Sequence, residues 1–422
     1  MCRLIIILFL GLTIKCYCQD SLSHPYCGFG KMKEFHGLNS YSSSKSINSA
    51  TDVGQYFIIP VVVHVIHNGG PENLSDADIQ SQIPVLNEDF GRTGRGYNSS
   101  PLGEDAKIRF ALATIDPNGN PTTGIEHIKS SYTNMNSDSE MLTKNLSVWD
   151  RTRYMNIWVV KSLDQVTSAG DEIGYAYLSS DVQFLQDPNA DGLVVSYKYF
   201  GRNTPYNPAS YQFGRTTTHE TGHYFNLLHT WGLDGPGLDG CTDGNDDVDD
   251  TPPCEYAYYS KYNGTISDTC DDPVQCDNNL RLISDYMDYS VDRCMNIFTK
   301  GQITRMRQSI LTDRASLVSY ENMVATGLEN LYLQYNPPVV DALDITPNPC
   351  NGTFYLYPDF VQNENSELYI FDQLGRIVKH FIINLKKEKT AVEITNAASG
   401  MYNLILITPS QIYKQKLILQ RD

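Results

Sequence analysis

Apolar and polar positions alternate in three regimes along the 422 residues. At the start, Arg3 precedes an apolar run over 5–14, closed by Lys15, Cys16, Tyr17 and Cys18. Ten residues are too few to span a bilayer. A basic residue, a short apolar stretch and small residues at the cut site describe a signal peptide over 1–18. Residues 19–52 are Ser-rich and lack periodicity, as a propeptide would. From Tyr56 the β-branched and apolar run through Ile66 predicts a buried strand. The helical spacing of Ile79, Ile83, Val85, Leu86 and Phe90, opened by Ser75 and Asp76, predicts a helix over 76–92. Further strands are predicted at 107–114, 154–162 and 192–199, an edge strand at 173–178, and helices at 213–229 and 301–319. Strands interleaved with helices imply a mixed α/β layer over 53–322. A polar stretch running into Asn336-Pro337-Pro338 reads as a linker over 323–342. The last regime, 343–422, has short alternating segments at 354–357, 367–371, 377–383, 401–407 and 412–419. Turn residues separate them, which predicts a small all-β sandwich.

Composition narrows the classes. Lys and Arg total 32 against 49 Asp and Glu, a net charge of −17. That disfavours nucleic acid and anionic membrane surfaces as partners. At 41% hydrophobic and 19% charged the chain has the composition of a globular protein. No other stretch reaches 18 apolar residues, so no transmembrane segment is expected. The mature chain should be exported, where disulfides can form. Ten cysteines less those at positions 2, 16 and 18 leave seven, so at least one thiol has no intrachain partner.

The candidate chemistry lies in His219-Glu220-Thr221-Gly222-His223-Tyr224-Phe225-Asn226-Leu227-Leu228-His229. His219 and His223 share a helix face, about 5–6 Å apart at Cβ, which suits two imidazoles on one Zn²⁺. Glu220 adjoins the open coordination position and can take a proton from water acidified there. Six further residues of straight helix would rotate about 600° and aim His229 away. The helix must therefore stop, and Asn226 is placed to supply the positive φ of the turn. Three imidazoles with an open position mark a catalytic site, whereas four protein ligands mark a structural one. The rival reading is a cell-surface binding protein with a structural metal.

His-Glu-x-x-His-x-x-x-x-x-His resembles the zinc motif of the metzincin metallopeptidases, with Asn226 where most of that clan has Gly. Asp285-Tyr286-Met287-Asp288-Tyr289 resembles the clan's Met-turn. Together with His229-Thr230-Trp231, Asp250-Thr251-Pro252 and the segment from Cys294 to Met306, these motifs resemble the pappalysin family, in its ulilysin and cytophagalysin branch. The resemblance covers roughly 56–320. It implies a secreted zinc endopeptidase with a mixed sheet, an active-site helix and a Met-turn, acting on proteins or peptides. His219, His223 and His229 would bind zinc and Glu220 would be general base. Met287 would floor the site, and the Tyr289 hydroxyl would reach the metal or the oxyanion. It further implies disulfides Cys241–Cys276 and Cys270–Cys294, an acidic pocket at Asp292 favouring Arg or Lys after the scissile bond, and a latency cysteine at Cys27.

Asp243, Asp246, Asp247, Asp249 and Asp250 crowd beside Thr251 and repel one another unless a hard cation binds. The family holds structural Ca²⁺ in this loop, and the matching residues are Asp246, Asp249 and Thr251. A solvated acidic loop is the alternative. The last segment resembles a type IX secretion sorting domain, through Ile345-Thr-Pro-Asn-Pro, Leu368-x-Ile-Phe-Asp, Gly400-Met-Tyr and Lys414-Gln-Lys-Leu-Ile-Leu. That implies the type IX machinery as a partner and an extracellular or outer-surface location.

Overall fold

The computed structural model describes residues 26–27 and 55–421, apart from 164, 167–169, 181–186, 233–240, 242–245, 255–269, 271–273, 277–278, 337–338, 341–342, 358–364, 374–375, 386–388, 396 and 409–411. The expected signal peptide and most of the expected propeptide lie outside these residues, as does Asp243.

Strands β1 (Tyr26–Cys27), β2 (Phe57–His67), β3 (Ile108–Leu112), β4 (Ile125–Lys129), β5 (Met155–Val160), β6 (Gln165–Val166), β7 (Gly170–Ala176) and β8 (Leu193–Ser196) form one mixed sheet, ordered β1-β7-β8-β5-β2-β3. β4 extends the β3 side of β2, and β6 pairs with β7. All pairings are parallel except those of β7 with β8 and β6. β2 reads as a near-continuous apolar run because it is central and buried on both faces. Its Pro60 is tolerated because pairing with β5 begins only at Val61, so no ladder donor is lost there.

The helix predicted over 76–92 is two helices, α1 (Asp76–Gln80) and α2 (Gln82–Phe90), broken at Ser81. Pro84, in the first turn of α2, has no N–H to give the Gln80 carbonyl and its ring crowds that carbonyl, so the ladder cannot run through, while the Ser81 hydroxyl donates to the Asp78 carbonyl. Ser75 caps α1 with Asp78 in a capping box. Helix α3 (Glu140–Lys144) follows, then α4 (Arg215–Tyr224), shorter than the predicted 213–229. α5 (Lys300–Asp313) runs into a 3-10 turn, Ala315–Val318.

Two short helices, α6 (Tyr320–Ala325) and α7 (Glu329–Tyr335), occupy much of the span expected as linker. Met323 and Leu328 pack on Ile58 of β2, with Leu331, Tyr332 and Tyr335 beside them. Six- and seven-residue helices are too short to show periodicity against a polar background. The strand expected at a free edge, 173–178, is β7, and β1 covers its outer side.

Beyond 343, a five-stranded sheet (Val339–Val340, Ile412–Leu419, Gly400–Ile407, Asn365–Phe371, Ile377–Asn384) faces a three-stranded one (Asp344–Thr346, Thr353–Tyr357, Thr390–Glu393) across a separate apolar core. All five predicted strands of this region are present. Among the described residues no helix is long and apolar enough to cross a membrane.

Candidate metal centre

Helix α4 carries the central residues and is buried along its whole length, which is why it shows little amphipathic pattern. α2 holds its start. The Gln82 amide donates to the Gly214 carbonyl and accepts from Thr217, and Asp89 accepts from Thr218. Arg314 holds its end, donating to the Tyr224 carbonyl and pairing with Asp191 in a buried fork. The helix stops in a Schellman closure. Leu227 N–H donates to the Gly222 carbonyl, Asn226 N–H donates to His223, and Asn226 takes φ +75°. That turn swings His229 back toward the helix.

The three imidazoles meet. His223 Nε2 lies 3.2 Å from His219 Nε2 and 3.2 Å from His229 Nε2. His219 Nδ1 donates to the Tyr286 carbonyl at 2.7 Å and His223 Nδ1 to that of Leu227 at 2.8 Å. With Nδ1 carrying the proton on these two rings, their Nε2 lone pairs face each other. Such an arrangement is unfavourable without a cation between them and suits a divalent metal. Burial, then His229 and His219, push His223 well below the ordinary histidine range, toward the neutral form that ligates. Cys27 Sγ joins the cluster, and its ligand atom and the three imidazole nitrogens all lie within 4.8 Å of one another.

Glu220 is buried, and burial pushes its carboxyl well above the ordinary range. Its Oε2 accepts from Cys27 Sγ at 3.4 Å. Strand β7 passes directly over it, because a Cβ on Gly174 would lie 3.0 Å from Glu220 Oε1. Met287 packs beneath α4 at Gly222, where a Cβ would fall 2.3 Å from its Sδ. The chain therefore needs glycine at 222 for the Met-turn to close under the helix. The Tyr289 ring stands 4.9 Å from His229 and 5.6 Å from His219, and its hydroxyl donates to the Cys27 carbonyl at 3.1 Å.

Asp292 lines a small cleft together with Tyr211, Thr216, His219, Glu220 and Asp288. It also serves the fold, its Oδ2 accepting from Phe213 N–H at 2.8 Å and Arg215 N–H at 3.4 Å. Burial pushes its carboxyl up to about 6. Asp288, the other aspartate of the cleft, is committed to Arg281.

Cys241–Cys276 and Cys270–Cys294 are disulfides, while Cys254 and Cys350 are buried thiols. In the acidic loop Asp246 and Thr251 are buried and Asp249 is exposed. Asp246 Oδ2 and Thr251 Oγ1 have no hydrogen-bond partner of normal geometry among the described residues. Burial raises Asp246 to about 7. Asp250 is occupied elsewhere, accepting from the Thr299 hydroxyl and Gly301 N–H at the start of α5.

The roles of Gly174 and of Arg281 are invisible in sequence, since each depends on a neighbour supplied by a distant segment. Trp231 stacks on His229 at 4.4 Å, and only its place two residues after the third imidazole pointed to it.

Residues 137–311 match the pregnancy-associated plasma protein-A family, and 344–420 match the secretion system C-terminal sorting domain. An extracellular metalloprotease of Sordaria macrospora is 31% identical over 62% of this chain and 75% of its own length. One from Arthroderma benhamiae is 28% identical over 67% and 81%. Among solved structures, mirolysin in complex with a compound is 37% identical, with a TM-score of 0.55 over 64% of this chain and 99% of that one. A promirolysin mutant from Tannerella forsythia is likewise 37% identical, with a TM-score of 0.55 over 65% and 88%.

Proposed function

The chain belongs to the pregnancy-associated plasma protein-A (pappalysin) family of metalloendopeptidases and carries a type IX sorting tail; on that premise we propose that it is a zinc endopeptidase made as a latent precursor. The observation that carries the reading is the convergence of three buried imidazole nitrogens beside a buried carboxyl, closed by a cysteine from the N-terminal segment. His219, His223 and His229 would hold the ion. When bound, zinc supplies Lewis-acid polarisation of a peptide carbonyl and lowers the pKa of water.

The protein's own groups do the rest. Glu220 takes the proton of the attacking water and hands it to the leaving amine as the C–N bond breaks. Tyr289 donates a hydrogen bond from its hydroxyl to the carbonyl oxygen as negative charge develops there. The outer side of β7 pairs with extended peptide main chain, as it does with Tyr26 and Cys27. Met287 is the apolar floor. Purified mature enzyme should contain about one zinc per chain by elemental analysis, since a site of this donor set binds tightly. Material with no stoichiometric transition metal would end the reading.

Latency follows from the donor count. Cys27 Sγ as fourth ligand would close the open position, and removing residues 19–52 would reopen it. The expected order is signal peptide 1–18, propeptide 19–52, catalytic domain from 53 and sorting domain from 343. The catalytic domain would extend past residue 322, because α6 and α7 pack on β2.

Asp292 would select Arg or Lys after the scissile bond. Asp288 is already neutralised by Arg281, so of the two aspartates in the cleft Asp292 is the one left to meet a substrate cation. Asp292→Asn keeps an acceptor for the two backbone N–H groups and removes the charge. The kcat/KM ratio for Arg over Leu at that position should fall about 10- to 100-fold. In the parent the preference should grow as pH rises through about 6, where the carboxyl ionises. An unchanged ratio in peptide profiling would remove the assignment.

Asp246 and Thr251, with two buried oxygens lacking normal partners, suit a hard Ca²⁺ ion, with Asp249 beside them. The disulfides at 241–276 and 270–294 tie the segments around this loop to the Met-turn region.

A further inference from the structure

We propose that Arg281 is a positioning residue for the hydrolytic step, acting through Asp288 to fix Tyr289. The inference rests on the reading of Tyr289 as oxyanion donor. Arg281 and Asp288 are both buried, and the guanidinium grips the carboxylate with a fork. Its Nε lies 2.7 Å from Asp288 Oδ2, and its second nitrogen engages Oδ1. That same Oδ1 accepts the backbone N–H of Tyr289 at 2.7 Å. One carboxylate oxygen thus ties the backbone of the donor to a rigid, planar cation.

The Tyr289 ring is held separately. It packs at 4.9 Å against Trp231, which Arg281 also faces at 6.0 Å from the ring centroid. None of these residues lies in a helix or strand, and the main chain contributes turn bonds, such as Asp288 N–H to the Asp285 carbonyl at 3.2 Å, in place of a regular ladder. A hydroxyl misplaced by about 1 Å costs about 100-fold in rate. A buried ion pair is a poor stabiliser compared with apolar residues of equal volume. Its presence beneath Tyr289 is explained by geometric constraint on that residue.

The test is a double-mutant cycle in the mature enzyme, reading kcat, KM and zinc content. R281K keeps the charge and loses the fork. It should lower kcat about tenfold with KM changed less than about twofold. In a Y289F background the same substitution should cost less than about twofold, because the group it positions is gone. Equal losses in both backgrounds, or a rise in KM alone, would overturn the inference and leave the reading of Tyr289 intact. If Y289F by itself leaves kcat unchanged, the oxyanion reading fails and Arg281 has nothing to position. Should R281K not fold, the R281M/D288N pair leaves no buried orphan charge and gives the same comparison.

Discussion

Glu220→Ala should lower peptide hydrolysis by about 10²- to 10⁴-fold while the enzyme keeps its zinc and its fold. The rate loss is that of a general base removed from reach of the attacking water. Zinc retention follows from the donor set, because the three imidazoles converge without help from the carboxyl. The fold should be no weaker. Glu220 is buried under Gly174 of β7, and among the described residues its Oε1 has no hydrogen-bond partner. Replacing it removes a desolvated carboxyl, so Tm should stay level or rise. Activity and stability therefore move apart, which a merely damaged protein would not do. Fluorogenic peptide kinetics, elemental analysis and calorimetry on one preparation check all three. Retained turnover would remove Glu220 from the chemistry, and lost zinc would make it a ligand instead.

The second large effect lies in the precursor. Cys27→Ala should release activity from the uncleaved chain. The Cys27 side chain and main chain hold the site together. Sγ faces the imidazoles and Glu220, the carbonyl accepts from Tyr289, and the backbone pairs with β7 at Gly174. Alanine removes the first of these and keeps the others. A loss of about 1.4–2.8 kcal/mol of closing energy raises the open fraction about 10- to 100-fold. The precursor should be that much more active than wild type at early times, before any proteolysis. Intact mass measured beside the assay excludes processing as the cause. A variant precursor as silent as wild type would mean that the strand pairing alone confers latency.

Much of the site is legible along the chain because its parts are local. Two imidazoles four apart need only a helix, and the third needs only a turn that Asn226 can make. The Schellman closure at 222–227 is a property of six consecutive residues. The two helices in the span expected as linker are the opposite case. α6 and α7 are held by Met323 and Leu328 against Ile58, which lies some 265 residues earlier in the chain, and carry little local signal. The helix over 76–92 breaks at Ser81 because Pro84 cannot donate to the Gln80 carbonyl, which apolar periodicity does not register.

The sequence by itself determined which three histidines cluster, the turn that folds His229 back, the buried strands and the β-rich tail, since short-range spacing and side-chain chemistry suffice for these. Only the tertiary structure decided that β1 covers β7 and brings Cys27 to Glu220, 193 residues away. It alone gave Asp288 to Arg281, placed Gly222 where a single methyl group would collide with Met287, and set Gly174 where one would press on Glu220. Such contacts depend on packing between segments distant in sequence, and no periodicity or local propensity encodes which distant side chain will arrive.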